Sequence, residues 1–256
     1  MDIHDYIESA DSIVSNHFAQ YAKKYDTVGV LLSGGIDSTL ITSYVFRSFP
    51  QARIFSMGTD QTKDRQFVDI FTLREKKEYE WVDLSDDVVE AALPEVRKLL
   101  KEVGVVDSTM QLSLAVGYYL IFKRAHELGI HTIVTGQGPD ILFAGYHKYK
   151  SISPVLINEE IKKDLTLLET DIKRDSGMAA HFGITLLNPY LENDFIEFTL
   201  SVPSEYKLKD GVEKFMMREW GKTKGLPSEI IARPKKAFQY STGIQKTVKR
   251  LLDLAK

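Results

Sequence analysis

The 256 residues predict an α/β fold: a doubly wound parallel sheet with helices on both faces, followed by a helical lobe. Three observations carry this. A short, continuous apolar run at residues 27–32 has the pattern of a strand buried on both faces, and further strand candidates lie at 52–57, 79–82 and 131–135. Segments with helical spacing lie between them, at 37–49, 63–75, 86–102 and 110–128, and such alternation implies right-handed crossovers and parallel strands. After about Lys150 the strand signals stop, and helical segments follow at 159–174, 192–200, 214–222 and 242–255. The expected organisation is a sheet-bearing core with an N-terminal helix over 1–150, and a helical lobe over 151–256 that completes the site.

Residues 2–24 place Ile3, Tyr6, Ile7, Ile13, Val14, Phe18 and Tyr21 three and four apart, an amphipathic helix expected to pack on the core. The first apolar run ends in Ser33-Gly34-Gly35, a tight turn into a helix whose inner stripe is Leu40, Ile41, Tyr44 and Val45. Parallel sheets of this kind bind ligands at the carboxyl ends of their strands. A 43% apolar composition is enough for a full core, and 33 Lys+Arg against 36 Asp+Glu gives a net charge of -3, so no global field draws the chain to nucleic acid. The absence of cysteine excludes disulfides, thiolate zinc sites and a Cys nucleophile. Met1-Asp2-Ile3-His4-Asp5 is acidic and no apolar run approaches the roughly 20 residues that span a bilayer, so a soluble, cytoplasmic protein without a membrane partner is expected. The six histidines show no ligand-like pairing and read as structural or surface residues.

In Ser33-Gly34-Gly35-Ile36-Asp37-Ser38-Thr39, two glycines let the backbone approach a ligand closely, and the following helix aims its N–H groups and positive dipole end at it. The hydroxyls of Ser33, Ser38 and Thr39 add donors. Asp37 is a carboxylate facing a phosphate, an arrangement that makes sense with a cation between them, and magnesium is the natural ion. The loop lacks the Gly-Lys-Ser/Thr ending that holds a γ-phosphate and is not Gly-x-Gly-x-x-Gly. A plain strand-to-helix turn capped by Ser or Asp is the competing reading.

The string resembles the pyrophosphate loop of the N-type ATP pyrophosphatases, which include asparagine, GMP, NAD, argininosuccinate and tRNA-lysidine synthetases. The resemblance implies an adenine nucleotide α-hydrolase-like, Rossmann-like fold that uses ATP and Mg2+. It also implies a shared chemistry, in which an oxygen of the substrate attacks the α-phosphate, pyrophosphate stays on the loop, and a nitrogen nucleophile then displaces AMP. Further along, Val134-Thr135-Gly136-Gln137-Gly138-Pro139-Asp140-Ile141-Leu142-Phe143-Ala144-Gly145-Tyr146 is similar to the Ser-Gly-Glu-Gly-x-Asp-Glu-x-Phe-Gly-Gly-Tyr segment of asparagine and β-lactam synthetases. Asn188-Pro189-Tyr190-Leu191-Glu192, Lys214-Phe215-Met216-Met217-Arg218-Glu219 and Arg233-Pro234-Lys235-Lys236-Ala237-Phe238 follow in the order of the same branch. By resemblance, Ser33, Gly34, Gly35, Asp37 and Ser38 hold pyrophosphate, Asp37 and Asp140 hold magnesium, and Lys235 meets the α-phosphate. Thr135 and Gly136 face AMP, and Leu31 and Met57 line the adenine pocket. Read from the residues alone, Asp140 could equally cap a helix, Lys235 and Lys236 form a solvated basic pair, and Met57 belong to the core.

The chain departs from that pattern at several places. The glutaminase domain of asparagine synthetases begins with a catalytic cysteine, and this chain has none, so the resemblance implies free ammonia, an amine, or a separate glutaminase subunit as nitrogen source. Gln137 replaces the glutamate of Ser-Gly-Glu-Gly, Ile141 replaces the glutamate after Asp140, and Thr185 and Leu187 stand where Glu-x-Arg precedes Pro-Phe-Leu-Asp. An acceptor pocket depleted of charged partners for aspartate is therefore expected, favouring a less charged acid. The leading expectation is an asparagine synthetase-like, AMP-forming amide ligase that adenylates aspartate or another acid, with a homodimer allowed. An AMP- or ATP-binding regulatory protein without turnover, and an adenylating RNA-modification enzyme, are the alternatives.

Overall fold

The computed structural model describes residues 2–254. Five parallel strands, β1 (Gly29–Leu31), β2 (Arg53–Gly58), β3 (Tyr79–Asp83), β4 (Thr132–Val134) and β5 (Thr185–Leu187), form one sheet in the order β3-β2-β1-β4-β5. The chain enters through α1 (Ile3–Lys24), whose first turn is closed by a capping box between Asp2 and Asp5. The crossovers are α2 (Ile36–Ser48), α3 (Asp64–Glu75) and the pair α4 (Asp86–Glu102) and α5 (Thr109–Glu127). Between β4 and β5 run α6 (Pro139–Leu142), α7 (Ile157–Asp164) and α8 (Leu167–His181). Beyond β5 come α9 (Asn193–Ser201), α10 (Ser204–Lys207), a small hairpin of Leu208–Lys209 against Val212–Glu213, then α11 (Phe215–Thr223), α12 (Ser228–Ala232), α13 (Phe238–Ser241) and α14 (Ile244–Leu254).

The central strands β1, β2 and β4 are largely buried, while the edge strands β3 and β5 are partly exposed. Val28, Val30 and Leu32 alternate onto one face and join a core built by α1, α2, α9 and α11, while Phe55, Met57 and Ile133 join the opposite core with α4, α5, α8 and α14. Trp220 of α11 is fully buried and packs against Tyr44, Tyr190 and Phe195. Truncating such a side chain costs about 3–5 kcal/mol, so this contact fixes the helix that Lys214 immediately precedes.

Two expectations need correction. Strand signals do not end near Lys150: Thr185–Leu187 pairs with Thr132–Val134 as the fifth strand, a three-residue element too short to show any period. The helix expected over 159–174 is broken at Leu165 and Thr166, where the Thr166 hydroxyl donates to the Lys163 carbonyl at 2.8 Å. Asp171 and Arg174 of α8 line the cavity described below. Ala255, at the end of the last expected helix, lies outside the described residues.

Candidate active site

Strand order reverses between β1 and β4, so the loops leaving their carboxyl ends part at the switch point where such sheets bind ligands. In the first loop Gly34 has φ +68, and a Cβ there would lie 2.6 Å from Cβ of Phe67, so both conformation and space demand glycine. No side chain caps α2 at Gly35, which removes the reading of the loop as a Ser- or Asp-capped turn. Ser38 Oγ instead accepts from the Ser33 N–H at 3.1 Å and lies 3.0 Å from Ser33 Oγ. In the second loop Thr135 Oγ1 accepts from the Gln137 N–H at 3.3 Å and donates to Asn188. A Cβ on Gly136 would stand 2.8 Å from Ser38 Cα, so this glycine is what lets the two loops touch.

The loops open into a cavity of about 600 Å³. Leu31, Ser33, Gly35, Asp37, Ser38, Met57, Thr135, Gly136, Asp140 and Lys235 all line it. Gly34 shapes the turn from behind and does not line it. Leu31, Phe55 and Met57 make an apolar end. At the loops, Lys214, only 3% exposed, bridges two carboxylates: its Nζ contacts Asp37 Oδ2 and lies 2.6 Å from Asp140 Oδ1. Lys235 Nζ stands 3.4 Å from Asp140 Oδ2 and 4.5 Å from the centre of the Tyr146 ring, so it is not a solvated surface charge. Asp140 sits in the first turn of α6 without capping it.

Burial and the neighbouring Asp140 raise the Asp37 carboxyl above its usual range, Lys214 opposing them. Burial pushes Asp140 the same way, but Lys214 and Lys235 outweigh it and hold that carboxyl low. Burial would deprotonate Lys214, yet Asp140 and Asp37 overcome it and keep the ammonium charged.

The arrangement fits magnesium. Oδ1 of Asp37 and Oδ1 of Asp140 are buried acceptors without a directed hydrogen bond, Asp140 Oδ1 having only the ionic contact with Lys214. Among the described residues no third acid or histidine joins them, which suits an ion that keeps waters and takes its other ligands from phosphates.

The far wall corrects an expectation. Thr185 and Leu187 do not line the cavity, and Ile141 and Gln137 do, but the wall is not depleted of charge. Arg174, 2% exposed, makes a bidentate pair with Asp175, and its Nη1 donates to Asp171 at 2.6 Å and to Gln111 at 2.8 Å. The Gln137 amide donates to Asp175 Oδ2 at 3.1 Å. Burial pushes the Asp175 carboxyl up to about 6 against the opposing Arg174. Arg233 ties the segment bearing Lys235 to the loop, donating to the Ser33 carbonyl at 2.9 Å, pairing with Asp64 and stacking 4.3 Å over Phe67.

Sequence reasoning assigned no role to Lys214, although it opens one of the matching motifs, and had no signal for Asp171, Arg174 and Asp175, which lie in an ordinary amphipathic helix.

A parallel sheet carrying this glycine-rich loop and paired carboxylates at its switch point defines a PP-loop, adenine nucleotide α-hydrolase-like domain. The chain belongs to the asparagine synthase family, whose model matches residues 23–162 and 156–256. It is 32% identical to the glutamine-hydrolysing asparagine synthetase of Pongo abelii over 228 residues, covering 82% of this chain and 39% of that protein. The same enzyme of Homo sapiens gives 32% identity with the same coverage. The chain thus spans about two fifths of these relatives' length. Among solved structures, NMN synthetase from Francisella tularensis aligns over 99% of this chain and 87% of its own, with a TM-score of 0.49 and 11% identity.

Proposed function

We propose that this chain is the synthetase domain of an AMP-forming amide ligase that adenylates a small carboxylate and passes the acyl group to ammonia or an amine. The observation that supports it most is the single cavity in which an apolar strand-end pocket, an anion loop, two carboxylates and two lysines converge. On this reading adenine lies against Leu31, Phe55 and Met57, while the N-terminus of α2 and the hydroxyls of Ser33 and Ser38 receive the β- and γ-phosphates. A carboxylate oxygen attacks the α-phosphorus, the α–β bridging bond breaks, and pyrophosphate leaves with the electron pair. Lys235, anchored by Asp140 and Tyr146, offsets the charge that builds on the α-phosphate. Magnesium held by Asp37 and Asp140 would supply charge neutralisation for the departing pyrophosphate. The nitrogen nucleophile then attacks the acyl carbon, AMP leaves, and the nitrogen loses a proton.

Gln137 cannot accept that proton, so the nucleophile must arrive neutral or lose its proton to another base. Ammonia would come from solution or from a glutaminase. Exchange of labelled pyrophosphate into ATP, screened over candidate acids, tests the proposal. Exchange with at least one acid, dependent on magnesium and on Lys235, is expected; no exchange and no AMP with any acid would refute it in favour of nucleotide binding without turnover.

A further inference from the structure

We infer that Lys214 is the resident counter-ion of the metal site, so that a divalent ion is admitted only together with the nucleotide's phosphates. The inference rests on the reading of Asp37 and Asp140 as metal carboxylates and adds the order in which the site fills.

The geometry shows a lysine built into this place. Its ammonium lies between the two carboxylates and is shielded from water. Its backbone takes a left-handed conformation, φ 55, at the junction between the hairpin and α11, and its N–H donates to the Phe143 carbonyl at 3.2 Å. Gly145 is the matching half of the device: a Cβ there would collide with Cε of Lys214 and approach Asp140 Oδ1 to 2.8 Å. The lysine arm runs through space that a glycine keeps open.

Charge then sets the order. Lys214 lies between Asp37 and Asp140, and Lys235 stands beside Asp140, so each carboxylate already has an ammonium partner. A free divalent ion would enter against two ammonium groups and would have to shed water reluctantly to do so. When a polyphosphate lands on the loop, the balance reverses: the site turns strongly anionic, and the cation becomes favourable. Lys214 lines the same cavity, and its flexible four-carbon arm can shift its ammonium from carboxylate to phosphate oxygen. That transfer frees the Asp37 and Asp140 oxygens as the metal arrives.

Mn2+ binding, followed by electron paramagnetic resonance and calorimetry on the full chain, tests this without turnover. The wild-type protein alone is expected to leave Mn2+ free, and the protein with ATP to hold it in a ternary complex. Lys214→Met and Lys214→Gln are each expected to bind Mn2+ without nucleotide about tenfold or more tightly than wild type, an effect of the size of ordinary site coupling. Adding Asp37→Asn should abolish the gain. Thermal melts identify any variant that does not fold, and the wild-type measurement stands without them. Wild-type protein that binds Mn2+ equally well with and without ATP, or folded Lys214 variants that gain nothing, would overturn the inference. Failure of the ligase reading looks different: no acid supports exchange, while the Mn2+ contrast between wild type and Lys214→Met persists.

Discussion

Lys207 offers a prediction whose size follows from the structure. It closes α10, directly before the hairpin that leads to Lys214, and it is 0% exposed with no partner for its Nζ. Burial alone pulls its ammonium from the ordinary 10.5 down to about 7. Below that value both folded and unfolded chains are protonated, and the folded state carries the full cost of a buried, unpaired charge. At 1.36 kcal/mol per pK unit, the difference between 10.5 and about 7 corresponds to about 4–5 kcal/mol. Between pH 7 and 10.5 the unfolded chain binds the proton that the folded chain has lost, so stability rises with pH across that window.

Lys207→Met keeps the apolar stem and removes the ionisable head. It is expected to stabilise the protein by about 4 kcal/mol near neutral pH, less whatever methionine loses in packing. Equilibrium unfolding in urea at a series of pH values reads this directly. The advantage of the variant should narrow steadily as pH is raised from 7 toward 10.5. A variant no more stable than wild type at neutral pH, or an advantage that does not change with pH, refutes the reasoning.

Gly136→Ala places a methyl group 2.8 Å from Ser38 Cα, so it should force the two loops apart, cost about 1–3 kcal/mol of stability and abolish pyrophosphate exchange, measured by unfolding and by exchange on the same preparation. Arg233→Ala releases the segment bearing Lys235 from the Ser33 carbonyl and Asp64. The exchange rate should fall about tenfold or more, and amide hydrogen exchange across 233–238 should quicken; protection unchanged by the substitution would show that Arg233 does not hold the segment. Gln137→Glu sets a second carboxylate beside Asp175, whose carboxyl burial has already pushed up to about 6 from 3.8. A raised carboxyl pKa lowers stability as pH rises toward it, so the variant should lose about 1–3 kcal/mol relative to wild type above pH 6 and recover in acid, as followed by thermal melts across that range.

The sheet was legible because its central strands are buried and its crossovers are long helices, leaving strand-length apolar segments that alternate with helical ones. Thr185–Leu187 was not: three residues carry no period, and what makes them a strand is pairing with β4, a contact distant in sequence. The loop residues were legible because glycines at Gly34 and Gly136 answer backbone demands that composition cannot hide. Lys214 was harder, since nothing local separates a lysine that pairs two buried carboxylates from one on a helix face. Its signal was non-local, in Gly145, whose missing side chain makes sense only once the arm that occupies the space is known. The same holds for Arg174: Asp171, Asp175 and Gln111 meet it through a helix turn and a crossing helix, a relation no spacing in the chain announces.

Lys207 and Lys214 are two buried lysines seven residues apart, and their opposite fates show how a partner decides whether a buried charge is kept. Without a partner, Lys207 tends to lose its proton; between two carboxylates, Lys214 keeps it. The far wall applies the same rule with the signs exchanged. Arg174 is held by Asp171, Asp175 and Gln111, so its donors are turned toward protein and little of its charge remains to grip a substrate carboxylate. Gln137 lies beside this cluster, and its neutral amide suits the neighbouring Asp175: a glutamate there would place two carboxylates in contact across a part-buried hydrogen bond. The departure at Gln137 is thus coupled to the acid on α8, and any account of which substrate this site accepts has to begin from the pair.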